Sequence, residues 1–348
     1  NGLKMVINDN AISGNEIKDS VESLNEIPKN ESEMVEDLDL QKKYIEEVIS
    51  KIKLNNRMKV VLDAGNGAAG ILAHSMFTAL GHEVISINKD PDGNFPNHHP
   101  DPSKENNLVD IKNKMISTNA DIGFAFDGDG DRVGLITNEG KSVIADKIIM
   151  LMAEFYLNQT KGPIIFDVKC SNQLPLLIKK FGGKPIMEKT GHFNIKKRIR
   201  ETNAVMGGEM SGHIFINHDW YGFDDAIYSA VILTKIVSES NISASELVNR
   251  IPSMYATPEL NLNIKEEEKF NLIEKFKSQM KFPNADINTI DGVRISIGNS
   301  WALMRASNTS SKLVFRFEGD TEDNLKQIKD LFESNFLRIF PDIQLDYD

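Results

Sequence analysis

The sequence predicts an α/β protein: two successive α/β units of about 100 residues each, then a small α+β unit, preceded by the tail of an earlier α/β unit. Three observations carry this reading. Apolar, β-branched runs such as Lys59-Val60-Val61-Leu62-Asp63 and Pro163-Ile164-Ile165-Phe166-Asp167-Val168 alternate with stretches of helical periodicity. From about Ser253 the style changes, and short strands follow one another before a long final helix. A chain of 348 residues also exceeds what one ordinary core accommodates. The expected units are 1–38 (remnant and linker), 39–141, 142–252 and 253–348.

The elements follow in order. Asn1-Gly2-Leu3-Lys4-Met5-Val6-Ile7 has no initiator Met and leads directly into a strand at 4–7, so it reads as a cut end. Ser13-Gly14-Asn15-Glu16 has capping-box spacing and opens a helix to about Leu24. Residues 25–40 are polar and acidic, contain Pro28, and read as a linker. Tyr44, Ile45, Val48, Ile49 and Ile52 mark a helix leading to the strand 59–63, a glycine-rich turn, a helix from Ala69 and a strand at 83–87. A helix near 106–116 and a strand at 121–126 complete the first unit.

The second unit repeats the pattern, with helices at 145–157, 172–181, 192–200 and 224–238 and strands at 163–168, 185–188 and 204–206. The last unit should hold strands at 259–264, 286–290, 292–297, 301–304 and 312–318, with helices at 266–280 and 321–339.

Composition excludes several classes. A net charge of −11 argues against a general nucleic-acid surface. The longest apolar run, Ile148–Ala153, is far too short to span a membrane, and no signal-peptide pattern opens the chain. Cys170, the single cysteine, has no disulfide partner within the chain and fits a reducing cytoplasm.

The sharpest chemical signal is Asp127-Gly128-Asp129-Gly130-Asp131-Arg132, directly after the apolar run 122–126. Three carboxylates at alternate positions repel one another unless a cation joins them, and the glycines permit the tight wrap. An EF-hand is excluded, because its sixth position would be Arg132 and its twelfth Asn138. Mg²⁺ at Asp127, Asp129 and Asp131, with Arg132 beside a phosphate, fits the residue types.

Gly65-Asn66-Gly67-Ala68-Ala69-Gly70 matches a dinucleotide fingerprint. Asp63 would face the incoming pyrophosphate, which favours a plain strand-to-helix turn.

Gly208-Glu209-Met210-Ser211-Gly212-His213 sets a carboxylate, a hydroxyl and an imidazole between flexible glycines, suited to sugar hydroxyls or to an ordinary turn. Arg305-Ala306-Ser307-Asn308-Thr309-Ser310, with Arg316 on the next strand, offers either an anion nest or a hydroxyl-rich hairpin. His98 and His99 read as structural, Lys169 as functional or solvated, and His192 as a site candidate.

Taken together these loops resemble the α-D-phosphohexomutase family, closest to its bacterial phosphomannomutase/phosphoglucomutase branch. The carrying segments are Gly93–Pro102, Asp127–Arg132, Gly208–His213 with Trp220–Asp225, and Arg305–Ser310.

The resemblance implies two phosphohexomutase-type α/β domains, a small C-terminal domain of TATA-box-binding-protein-like type, and a remnant of a first α/β domain. It implies conversion between hexose 1- and 6-phosphates, of mannose or glucose, through a bisphosphate, with a phosphoserine and Mg²⁺. Asp127, Asp129 and Asp131 would hold the metal, and Arg132 would assist phosphoryl transfer. Glu209 and Ser211 would grip sugar hydroxyls. Arg305, Ser307, Asn308 and Thr309 would hold the distal phosphate, with Arg316 beside them. Lys169, His192 and His213 would line the cleft, and Lys4 matches a basic residue of the family's site. Met210 is similar to the glucose/mannose enzymes.

The family's phosphoserine loop, of Thr-x-Ser-His-Asn-Pro type, occurs nowhere in the 348 residues. Nearly all of a first domain, on the order of 100 residues, is expected to be missing. The chain alone is therefore expected to be inactive and to depend on a missing N-terminal domain. The alternative is a non-catalytic sugar-phosphate-binding protein or half of a split enzyme.

Overall fold

The computed structural model describes residues 6–7, 10–11, 14–23, 39–54, 56–308 and 310–347. Lys4, Thr309 and the expected cap Ser13 lie outside the described residues.

Two sheets share one topology. The first runs Glu83–Ile87, Lys59–Asp63, Ile122–Phe126, Val133–Thr137, Ser142–Val143 in spatial order. Its first three strands are parallel and its last two antiparallel. The second runs Lys184–Glu188, Pro163–Asp167, Met206–Gly208, Ile214–Ile216, again three parallel strands and an antiparallel one. All five residues of Ile122–Phe126 are buried, as expected of a parallel strand covered on both faces.

The four strands common to both sheets put Asp127–Arg132 and Glu209–His213 in equivalent places. Each follows the third parallel strand and precedes its antiparallel neighbour.

Helix Ala226–Ser240 packs between the first two units and joins them in one shared core. Twelve of its fifteen residues are buried, so it is apolar almost all round. Asp225 caps its start by accepting the Tyr228 N–H at 2.9 Å. Asn241, at φ 56°, ends it in the left-handed conformation. No helix among the described residues is long and apolar enough to cross a membrane.

The C-terminal sheet runs Tyr255–Ala256, Lys312–Gly319, Ser300–Ala306, Val293–Ile297, Asp286–Asn288, with Leu260–Asn263 also pairing against Lys312–Gly319. Its two faces differ completely because side chains alternate. Ala302, Met304, Leu313, Phe315 and Phe317 pack with Phe276 and Phe332 from helices Lys269–Gln279 and Glu322–Ile339. The opposite face carries Arg294, Trp301, Leu303, Arg305, Arg316 and Glu318, all buried. It docks on the second unit through polar contacts. Glu318 accepts from Ser171 Oγ at 2.9 Å and the Asn172 N–H at 3.1 Å. Arg294 donates to the carbonyls of Val168 and Cys170 and to Asn172 Oδ1.

Several expectations need correction. The strand expected at 204–206 is Met206–Gly208. Gly207 and Gly208 are therefore not flexible loop residues. A Cβ on Gly208 would meet Ile149 at 2.5 Å and one on Gly207 would meet Ile195 at 2.8 Å. Arg305 sits on a strand rather than in a turn. The strands Val133–Thr137, Ser142–Val143, Ile214–Ile216 and Tyr255–Ala256 and helix Ala244–Asn249 were not anticipated. The helix expected to reach Leu24 ends at Glu22.

Candidate functional site

The acidic loop is wound around Asp127. Its Oδ1 accepts the backbone N–H groups of Gly130, Asp131 and Arg132 at 3.1, 3.0 and 3.0 Å. Oδ2 accepts Arg132 Nε at 2.6 Å, and Arg132 Nη1 reaches Asp101 at 3.3 Å. Carboxylate oxygens of Asp127, Asp129 and Asp131 lie within 4.8 Å of one another, with Asp129 exposed and the other two buried.

The glycine-rich turn supports this loop from behind. The Ala68 N–H donates to the Gly128 carbonyl at 2.9 Å, and a Cβ on Gly67 would meet that oxygen at 2.8 Å. Gly70 packs on Lys89, whose carbonyl would lie 1.9 Å from an added Cβ. Asp63 turns inward to the Gly65 N–H, Asn88 and His98 at 2.9, 3.1 and 3.1 Å. The turn packs closely on the acidic loop, and Asp63, expected to face outward at the strand end, is instead buried in hydrogen bonds that include His98.

The two equivalent loops meet. Arg132 and His213 form an antiparallel main-chain bridge, and the Val133 N–H donates to the Gly212 carbonyl at 3.1 Å. His213 places Nε2 3.2 Å from Asp131, and Nδ1 3.0 Å from Glu209 and 2.8 Å from Ser211 Oγ. Glu209 is buried and accepts the Gly191 N–H. His192 lies across from His213, ring centres 6.0 Å apart, with Nδ1 3.9 Å from Asp224. Asp131, His213 and Asp224 also form a close group, with Lys196 3.1 Å from Asp224.

The C-terminal unit closes one side. Lys169, read as functional or solvated, is buried and paired with Glu259 at 2.6 Å, so the solvated alternative fails. Arg305 donates through Nε to Asp291 at 2.8 Å, while its buried Nη2 has no hydrogen-bond partner among the described residues. Asn308 reaches the Thr190 carbonyl at 3.3 Å. Ser307 accepts from the Ser310 N–H and hydroxyl, and its carbonyl accepts from the buried Lys269. Arg316 lies apart from that turn, 3.8 Å from Asp146 and over the Trp301 ring at 5.9 Å.

Three successive segments match family profiles described as phosphoglucomutase/phosphomannomutase α/β/α domain II (residues 42–140), α/β/α domain III (145–255) and C-terminal domain (259–334). The chain belongs to the phosphoglucomutase/phosphomannomutase family.

Among similar curated proteins, a phosphomannomutase/phosphoglucomutase of Pseudomonas putida is 45% identical, matched over 100% of this chain and 75% of that protein. A phosphoglucomutase of Neisseria meningitidis is 40% identical, over 98% of this chain and 76% of that one. A solved structure of a phosphoglucomutase/phosphomannomutase family protein from Burkholderia thailandensis superposes with a TM-score of 0.90 at 40% identity, covering 98% of this chain and 74% of that one.

In this phosphohexomutase chain the charges are poised. Burial and then the neighbouring Asp131 carboxylate push Asp127 up to about 6, against the pull of Arg132 and the loop amides. That crowding of like charge is what a divalent cation relieves, so the three-carboxylate donor set fits Mg²⁺. Burial works to lower the His213 pKa, but hydrogen bonds to Asp131 and Glu209 outweigh it and raise it to about 9. Burial disfavours charge on Lys169 too, yet Glu259 and Asp167 hold its ammonium above the usual lysine range.

Sequence reasoning missed Asp167 and Asp291, and gave no role to Asp101 and Asp224 although both lie in the segments that carry the resemblance. Asp167 is fully buried, accepting from Thr190 Oγ1 at 3.2 Å and the Met210 N–H at 3.3 Å, and burial raises its pKa. Its place at a strand end, like Asp63 and Asp127, was the available signal.

Proposed function

We propose that the chain carries the metal, sugar and distal-phosphate sites of a hexose-phosphate mutase converting 1-phosphates and 6-phosphates of mannose or glucose through a bisphosphate. The observation that carries this is the Arg132–His213 bridge, which fuses a three-carboxylate loop to a loop offering Glu209, Ser211 and His213. The names of its relatives, phosphomannomutase/phosphoglucomutase and phosphoglucomutase, support the substrate class.

Asp127, Asp129 and Asp131 would hold Mg²⁺. Bound there, the ion would neutralise charge on the transferring phosphoryl group. Arg132, braced by Asp127 and Asp101, presents a fixed cation beside it. Glu209 and Ser211 orient the sugar hydroxyls, and His213 holds a proton between Asp131 and Glu209 at the reacting end. His192 and Lys169 line the cleft with His213, and Lys4 is the counterpart in sequence of the family's basic site residue. Arg305, Ser307, Asn308 and Thr309 grip the non-reacting phosphate, while Arg316, expected with them, stands apart beside Asp146. The proposed unit boundaries are 141/142 and 252/253, with strand Ser142–Val143 pairing back onto the first sheet.

No Thr-x-Ser-His-Asn-Pro loop lies within the 348 residues, so turnover requires that serine to be supplied from outside them. The second reading is a sugar-phosphate binder or half of a split enzyme. Calorimetry with glucose 1-phosphate and mannose 1-phosphate, with and without Mg²⁺, tests the shared part. Saturable binding strengthened by Mg²⁺ is expected; no binding of either sugar phosphate would reject both readings.

A further inference from the structure

Asp291 and Gly292 form the turn between strands Asp286–Asn288 and Val293–Ile297, and the turn is built for close approach. Gly292 has φ +79°, and a Cβ there would lie 2.2 Å from the Met304 carbonyl and 2.7 Å from Arg305 Cα. Only glycine lets this turn lie against the end of the Arg305 strand. The approach brings Asp291 Oδ2 within 2.8 Å of Arg305 Nε.

The same oxygen accepts the Thr190 N–H at 3.0 Å. Thr190 in turn donates its hydroxyl to Asp167 at 3.2 Å, and its carbonyl accepts Asn308 Nδ2 at 3.3 Å. One carboxylate oxygen therefore connects the phosphate-loop arginine to the turn that starts helix His192–Thr202.

We propose that Asp291 is a positioning residue that aims Arg305 at the substrate phosphate and ties it to the Thr190 turn. The proposal rests on the reading of Arg305 as a phosphate ligand. A guanidinium is planar, so holding Nε fixes the direction of both Nη groups. Engaging Nε rather than the Nη pair leaves Nη2, buried and without a partner among the described residues, for an anion. Arg305 thus keeps one donor neutralised and locked and another in reserve.

Calorimetric titration with glucose 1-phosphate in Mg²⁺ tests this on the wild type, Asp291→Asn, Arg305→Ala and the double variant. Asp291→Asn should weaken binding about tenfold, the scale of one charge-assisted hydrogen bond, while Mn²⁺ binding to the acidic loop stays unchanged. Added to Arg305→Ala, it should weaken binding no further, because Asp291 acts through Arg305. If Asp291→Asn does not fold, Arg305→Lys removes the same contact from the other side while keeping the charge, and should lose about as much.

Unchanged affinity in Asp291→Asn (or in Arg305→Lys), or additive losses in the double variant, would overturn the proposal. Unchanged affinity in Arg305→Ala would instead remove the phosphate reading of Arg305 itself, and this proposal with it.

Discussion

Arg132 and His213 face each other across a main-chain bridge, and His213 Nε2 lies 3.2 Å from Asp131. Each residue ends a loop that leaves the third parallel strand of its own sheet, so two copies of one topology meet loop to loop. The contact is made largely by backbone. The relative placement of the acidic loop and the Glu209 loop therefore does not depend on a flexible side chain, and changes in either loop should be felt in the other.

Asp129 separates metal binding from folding. It is exposed, whereas Asp127 anchors three backbone N–H groups. Asp129→Asn should lower Mn²⁺ affinity at least about tenfold while changing stability by less than about 0.5 kcal/mol. Asp127→Asn should lose metal affinity and about 1–3 kcal/mol of stability as well. Calorimetry with Mn²⁺ and urea unfolding on both variants read the two effects.

Gly67→Ala acts at a distance. Its Cβ would press on the carbonyls of Gly128 and Asp127 at 2.8 and 2.9 Å. The acidic loop must shift, so metal affinity should fall although no ligand is altered, with an overpacking penalty of about 1–3 kcal/mol. NAD titration should show no binding to the wild type; measurable affinity would restore the dinucleotide reading of Gly65–Gly70.

His82 gives a pH-dependent stability. Burial, the dominant cause, holds its pKa below 6.5, and its Nδ1 accepts the Met58 N–H at 3.1 Å. The unfolded chain binds this proton more readily than the folded one. The contribution is therefore complete above about pH 6.5 and declines as pH falls from there toward the lower folded value. His82→Asn keeps an acceptor without the titration, so the stability gap between wild type and variant should narrow between pH 7.5 and pH 5 in urea melts.

Phe332 lies at the centre of the C-terminal core, 5.1 Å from the ring of Phe276 and 5.6 Å from that of Phe282. Phe332→Ala should destabilise by about 3–5 kcal/mol. Because the metal loop rests on a separate core, Mn²⁺ affinity should stay within about twofold at temperatures where the variant remains folded.

Much of the fold was legible because βαβ units announce themselves locally. The apolar runs at 59–63, 122–126 and 163–167 fall on the strands. What escaped were short antiparallel strands such as Ile214–Ile216, whose three residues are too few for a period to register. Trp301-Ala302-Leu303-Met304-Arg305 shows no apolar/polar alternation because both of its faces are buried, one of them against a neighbouring unit that no local pattern reveals.

The same limit governed the site. The acidic loop is contiguous and could be read in one glance. Asp291 and Thr190 touch across 101 positions of sequence, and Lys169 and Glu259 across 90, so no local pattern joins them. Lys169 could be assigned as buried only once its carboxylate was in view.

The account stands most directly on turnover. Phosphorus NMR would follow glucose 1-phosphate in Mg²⁺ with a trace of glucose 1,6-bisphosphate, with this chain alone and with the serine-loop domain of a relative supplied. The prediction is no conversion by the chain alone and conversion to glucose 6-phosphate when the domain is added, lost in Asp129→Asn. Absence of conversion with both pieces present, although glucose 1,6-bisphosphate binds, would contradict it.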